Sequence, residues 1–488
     1  MSEVVSRHAA IWLTLDAGGT LGRLPQSLVR SGSVVALAGL ASLAMFSLAA
    51  PVAIPMVREP QMRVLLHEGK QVLLRADRQS TMAIRGLPGG PQQARRLTIS
   101  PLADGLLVVV DGTRRRLSSH TVLTVENNDP RGIWLGQRRY RGGLQISGRG
   151  GRLRVINSLG VETYLASVVG SEMPHEWPLA ALQAQAVAAR TYALRQRSRG
   201  GGWDLKATVA SQVYRGVESE TPSTREAVTT THSLVLVHRG KLIDAVFHSS
   251  SGGVTESSGM VWRYQQPYLV SVPDYDQHSP VHRWQERFDA RSLKQRLPEI
   301  GGLVGVDVLN RSTSGRVRQA RLRGPSGSLV LNGKELRRRL GLKSTLVSFE
   351  MVSGMSMPTW TPQPVLASIT TAPVSSGSRI NRITASVARG ASRSMPKLLA
   401  PPPPVLLNDS IQTRSAIHSS GLQLLVRGQG FGHGVGMSQW GAHGMAEQGA
   451  DFRAILGHYY SGAAVVPFRA HHHPAMARIP AVEPVWRG

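Results

Sequence analysis

The sequence predicts a mixed α+β fold, with mostly antiparallel strands and a few helices. Three observations predict it. Short runs rich in Val, Leu and Ile alternate with turn residues from Met62 to Ser158, two stretches of helical spacing follow between Leu159 and the glycines at 200–202, and strand runs resume from Ser233.

The first strand runs are MRVLL, QVLLRA, LLVVV, TVLTV and LRVIN, separated by Gly, Asn-Asp-Pro and Gly-Arg-Gly turns. A helix is expected over Glu162–Val169, with Tyr164, Leu165, Val168 and Val169 on one side and Gly170 as its C-terminal stop. A longer helix opens with Pro178 in its first turn and runs through LAALQAQAVAARTYALRQR. Beyond it SLVLVH, LIDAVFH, VDVLN, VRQARLRG and SLVL read as strands, and KELRRRLG as a short helix.

The flanking segments have other characters. No charged residue occurs from Ser31 to Val57, between Arg30 and Arg58. Such a run is long enough to cross a bilayer, which takes about 20 residues. Its Ala-rich end also resembles a signal-peptide cleavage site, so residues 1–57 read as a signal peptide or a signal anchor. The basic residues before the span place everything after it outside the cytoplasm. Between Gly354 and Ser420 Pro, Ser, Thr and Ala dominate, including the Pro401–Pro404 run, which reads as a disordered insertion at 354–420. The expected body is therefore residues 58–353, β-rich over 58–158 and helical with a cleft over 159–353. It is completed by 421–468, and a tail follows at 469–488. His471–His473 in that tail have no fixed partners nearby and carry no metal expectation.

Fifty-seven Lys and Arg oppose 30 Asp and Glu, a formal charge of +27. That field favours polyanions. No helix-turn-helix, zinc-finger or RNA-recognition pattern accompanies it, so nucleic acid is not the expected partner. There is no cysteine, which excludes disulfides and thiolate metal sites.

The stretch richest in chemistry is LGVETYLASVVGSEMPHEWPLAALQAQAVAARTYALR, residues 159–195. It sets Glu172 in a turn between two helices, stiffened because Met173 precedes Pro174. Trp177 offers an apolar wall, against which a carboxyl group has its pKa raised, as suits a general acid. The alternative is that Glu172 only caps the next helix.

These residues resemble the signature of the stage II sporulation protein D (amidase enhancer) family, in which Glu-Met-Pro precedes Trp-Pro and an Ala-Gln-Ala-Val-Ala-Ala-Arg-Thr-Tyr helix. Ser211–Gly216 is similar to the family's Gln-x-Tyr-x-Gly strand end, Phe247–Thr255 to its His-Ser, Gly-Gly loop, and Gly430–Ala442 to its closing motif. The four occur in the family's order, which makes the resemblance specific where one Gly-rich motif would not be.

The resemblance implies a glycan-binding cleft and a peptidoglycan lytic transglycosylase with Glu172 as its catalytic acid. It also implies substrate contacts from Arg190, Tyr192, Gln212, Tyr214, His248, Ser250, Ser251, His433 and Gln439, with Trp177 or Trp440 stacking on a sugar. The partners implied are peptidoglycan glycan strands and a cell-wall amidase, together with the membrane if the N-terminal segment is retained. The rival implication is a noncatalytic wall-binding enhancer of that amidase. Some members bind zinc through cysteines around the His-Ser loop. Serines stand there in this chain, so a metal-free form without cofactor is expected, its loop held by hydrogen bonds.

Overall fold

A computed structural model describes residues 59–197, 201–353 and 422–468. The expected export segment, the Pro/Ser insertion and the His-bearing tail lie outside the described residues. Among the described residues no helix is long and apolar enough to cross a membrane.

The fold is mixed α+β and its sheets are mostly antiparallel. The five N-terminal strand runs all form strands: Gln61–Gly69, Val72–Arg75, Gly105–Val110, Val122–Glu126 and Arg152–Gly160. Gln61–Gly69 pairs antiparallel with Arg152–Gly160 near the edge of a seven-stranded sheet. Val72–Arg75 lies inside a six-stranded sheet whose order is Arg138–Tyr140, Ile133–Leu135, Val72–Arg75, Arg96–Pro101, Gly105–Val110, Thr113–Ser118. Alternate residues of both sheets, such as Val64, Leu74, Ile99, Val108, Leu123 and Val155, enter one core.

Helix α1 (Val161–Glu172) follows its strand directly, and α2 (Leu179–Arg197) follows after a short link. Gly170 does not stop α1, contrary to the sequence expectation. A Cβ there would lie 1.9 Å from the Ser219 carbonyl oxygen, so Gly170 serves close approach of a neighbouring chain segment. The stop is Met173, pushed to φ −129° and ψ 148° by the proline after it.

Helix α2 is buried nearly all round, as the five small or aliphatic residues among the six positions from Ala184 to Ala189, with Gln185 the exception, require. It packs against α1, the helices Pro222–Thr230, Gln439–Glu447 and Phe452–Tyr459, and the strand Leu234–His238. Because α2 touches elements from both sides of the insertion, it is the post on which the site is assembled.

The run LIDAVFH does not form one strand. Only Lys241–Leu242 and Phe247–His248 pair, because Val246 N–H turns back to the Asp244 carbonyl at 2.8 Å. A second core, with Phe288, Leu293, Leu322, Leu336 and Val426, lies between two three-stranded sheets and two short helices, Ala290–Arg296 and Gly333–Leu340. In one of those sheets Leu422–Gln429 is the central strand, between Arg283–Phe288 and Val347–Ser353. The chain beyond residue 421 is thus interior to the fold.

Candidate active site

Glu172 is the last residue of α1 and not part of a free turn. Among the described residues its carboxyl oxygens accept no hydrogen bond from α2 and form no ion pair. Oε1 accepts the Val213 N–H at 2.7 Å, and Oε2 accepts from Gln439 Nε2 at 3.5 Å. Val213 belongs to the extended segment after α2, and Gln439 opens the helix that ends the closing motif. Two distant segments therefore converge on one carboxyl group. Burial pushes its pKa up from 4.5 to about 7, against smaller opposing effects of the Val213 and Gln439 hydrogen bonds and the Arg215 charge. No carboxylate is among the groups that perturb it.

Gln439 is held in place from below. Met437–Ser438 pairs parallel with Phe247–His248, and Ser438 caps the Gln439–Glu447 helix through the Gly441 N–H. Trp177 stacks edge-on against Trp440 at 4.7 Å and meets His443 at 4.6 Å, so the two tryptophans named in the sequence form one aromatic cluster beside Gln439.

The remaining predicted residues divide by burial. Arg190 is fully buried, and its fork is taken by Glu162, at 2.9 and 2.6 Å, with further donation to the Leu234 and Val228 carbonyls. It does not present a guanidinium to a glycan. An arginine inside a helix bundle needs a carboxylate and carbonyls of its own. Tyr192 packs in the main core. Gln212 is 1% exposed and bridges the Ala189 carbonyl and the Tyr164 hydroxyl. Tyr214 is 2% exposed, donates to Asn157 Oδ1 at 2.9 Å and lies between the rings of Tyr140 and Tyr164. Gln212 and Tyr214 thus position the Val213 N–H that meets Glu172, and their own polar groups are satisfied inside the protein.

His248 and His433 lie with ring centroids 5.4 Å apart. Burial holds both below the usual histidine range, His433 at about 3, so both are neutral. His248 Nδ1 meets the Val435 carbonyl at 3.1 Å, which makes it the protonated nitrogen and leaves the buried Nε2 an acceptor. Ser250 and Ser251 are buried too. Their hydroxyls donate to Asp276 and Asp274, respectively.

Those two aspartates are residues the sequence reasoning missed. Asp276 also accepts the Gly252 and Gly253 N–H groups at 2.7 and 2.9 Å and contacts His282 Nδ1 at 3.0 Å. Asp274 accepts the Tyr459 hydroxyl at 2.6 Å. Hydrogen bonds therefore clamp the His-Ser loop. Gly252 has φ 81°, and a Cβ would come within 2.6 Å of Gln429 Cβ, so the loop needs glycine there. The available signal was Asp274-Tyr275-Asp276, two carboxylates on one side of an extended segment. Among the described residues no cluster of three His, Asp or Glu is placed to hold a metal ion.

Comparison with known proteins bears on this arrangement. Residues 149–238 match the family model described as Stage II sporulation protein, a span that includes Glu172 and Val213. The chain is 28% identical over 340 residues to an uncharacterized protein of Brachyspira hyodysenteriae, covering 69% of this chain and 75% of that one. It is 29% identical over 323 residues to the amidase enhancer of Bacillus subtilis, covering 62% of this chain and 40% of that protein. It is also 29% identical over 331 residues to the stage II sporulation protein D of Bacillus amyloliquefaciens, covering 63% and 74%. The chain thus spans less than half of the amidase enhancer's length.

Proposed function

We propose, for a chain that belongs to the stage II sporulation protein D family and has a cell-wall related role, that it cleaves peptidoglycan glycan strands as a lytic transglycosylase with Glu172 as general acid and base. The observation that carries this reading is the environment of Glu172. A carboxyl group with a pKa near 7 is about half protonated at neutral pH and gives and takes its proton with equal ease, as an acid that must then act as a base requires.

A single carboxyl group suffices for this chemistry. Hydrolysis of a glycoside uses two carboxyl groups, one as acid and one to activate water or to attack. In the lytic reaction Glu172 gives its proton to the leaving glycosidic oxygen of the MurNAc–GlcNAc bond. The 6-hydroxyl of the same MurNAc ring then bonds to the anomeric carbon, and its proton returns to Glu172. The products are a new chain end and a 1,6-anhydro ring, with no net change in Glu172. Attack within one ring supplies the proximity that a second protein group would otherwise provide. Oε2 is the oxygen suited to carry the proton, since its contact with Gln439 is the longer one. The aromatic pair Trp177 and Trp440 supports a sugar-stacking role next to it.

We place the catalytic body at 58–353 and 421–468, outside the cytoplasm, with residues 354–420 as the linker between them. The second reading, a noncatalytic enhancer of a cell-wall amidase, draws on the name of one relative. Mass spectrometry of glycan strands incubated with the purified chain separates the two. Glu172→Gln is expected to keep glycan binding and to lose anhydro-muropeptide release by roughly a hundredfold to ten-thousandfold. Release at the normal rate from that variant refutes the assignment.

A further inference from the structure

The outer face of the six-stranded sheet carries arginines from four strands. Register places Arg75 directly opposite Arg96, and Arg139 opposite Trp134, which in turn faces Arg75. Along the edge strand Thr113–Ser118, Arg114 and Arg116 face the same way, opposite Val109 and Leu107. Like charges placed directly opposite on a sheet destabilise it, so the Arg75–Arg96 pair calls for an anion.

The protein itself supplies little. Arg139 is paired with Glu218 and Asp77. Asp111, at the end of the Arg75–Arg96 row, is engaged by the backbone N–H groups of Arg95 and Arg96. Arg75 lies over the Trp134 ring at 4.1 Å. Among the described residues Arg75, Arg96, Arg114 and Arg116 have no carboxylate partner. They form a cationic track running across the strands.

We propose that this face binds a linear phosphodiester polymer of the cell envelope and so holds the protein along the wall. One feature fits that occupant and two exclude others. Guanidinium groups bind phosphate oxygens through a planar fork. Trp134, with Arg75 and Arg139 both set against its ring at 4.1 and 5.0 Å, is not a platform for sugars or bases. A bilayer surface would need protruding apolar side chains, and none of the large exposed hydrophobic residues of the described chain lies on this face, where Leu73, Leu107 and Val109 are half-buried. The inference rests on the proposed location outside the cytoplasm and not on the catalytic chemistry, since none of these arginines touches Glu172.

The test uses the full chain in non-ionic detergent, labelled synthetic poly(glycerol phosphate) and fluorescence anisotropy. Binding is expected to weaken more than about tenfold between roughly 50 and 150 mM salt, as release of about four counterions requires. The variant R75Q/R96Q/R114Q/R116Q should lose at least about tenfold in affinity at the lower salt, while the four corresponding Lys substitutions, which keep the charge and lose the fork, recover only part of it. Because all four positions are exposed, the glutamine variant should keep its Tm and its activity on polymer-free glycan strands. If it does not fold, R114Q/R116Q on the edge strand alone replaces it and should show a partial loss. Undiminished polymer binding by a folded glutamine variant overturns the proposal. So does tighter, arginine-dependent binding to phosphatidylglycerol vesicles than to the polymer, which would make the face a membrane surface.

Discussion

Replacing Glu172 with Gln should stabilise the protein at alkaline pH while leaving its stability near pH 4.5 almost unchanged. The folded-state pKa of about 7 lies above the ordinary 4.5, so between these values the folded chain binds more protons than the unfolded one. The contribution of Glu172 to stability is thus fully present below about 4.5 and is lost as pH rises through about 7. At 1.36 kcal/mol per pH unit, the ionised side chain costs roughly 3 kcal/mol above pH 8, an upper figure because the carboxyl group is partly open to water. Glutamine carries no such cost. It keeps an acceptor for the Val213 N–H, and Gln439 can turn its amide oxygen toward the new NH2 group. The assay is chemical denaturation of both proteins at pH 5 and pH 8.5. A gain of about 1–3 kcal/mol for the variant at pH 8.5, shrinking below about 1 kcal/mol at pH 5, is expected. Equal stabilities at both pH values would show that Glu172 titrates normally and would remove the physical basis for its role as an acid.

Three further outcomes are expected. Glycan cleavage should decline as pH rises above about 7, since the acid form of Glu172 is lost there; a rate still climbing at pH 9 would contradict its role. Arg190→Ala should cost about 3–5 kcal/mol by stranding Glu162 beside a buried void, whereas Arg190→Lys, if it folds, should leave the KM for glycan unchanged; a raised KM in the Lys variant would restore Arg190 as a binding group. Truncation after Gly354 should yield no cooperatively folding protein, because it removes the central strand Leu422–Gln429 with the core residues Leu424 and Val426, as thermal denaturation would register.

Much of the architecture is legible in the sequence alone, for reasons that are local. Runs such as MRVLL and LLVVV announce strands because alternation and turn residues are properties of a few neighbouring positions. The Ala-rich stretch from Leu179 announces a helix in the same way. Glu172 stands out through the stiff Met173-Pro174 turn and the Trp177 wall near it, which leave a helix cap equally open, and its catalytic role comes from the resemblance to the family signature.

What tertiary structure decided are the meetings that no local pattern records. Gln439 reaches Glu172 across 267 positions, and the Val213 N–H reaches it across 41. Gly170 looked like a helix stop, and only the Ser219 carbonyl pressed against it reveals why glycine is required. Arg190, Gln212 and Tyr214 are polar residues beside a signature, which from sequence reads as readiness to bind. Folding instead buries them and spends their hydrogen bonds on Glu162, Ala189 and Asn157. The same holds for Ser250 and Ser251, whose hydroxyls are claimed by Asp276 and Asp274. Sequence determines which groups can donate and accept. Burial determines which of them must find a partner within the protein, because a polar group removed from water costs free energy until it does.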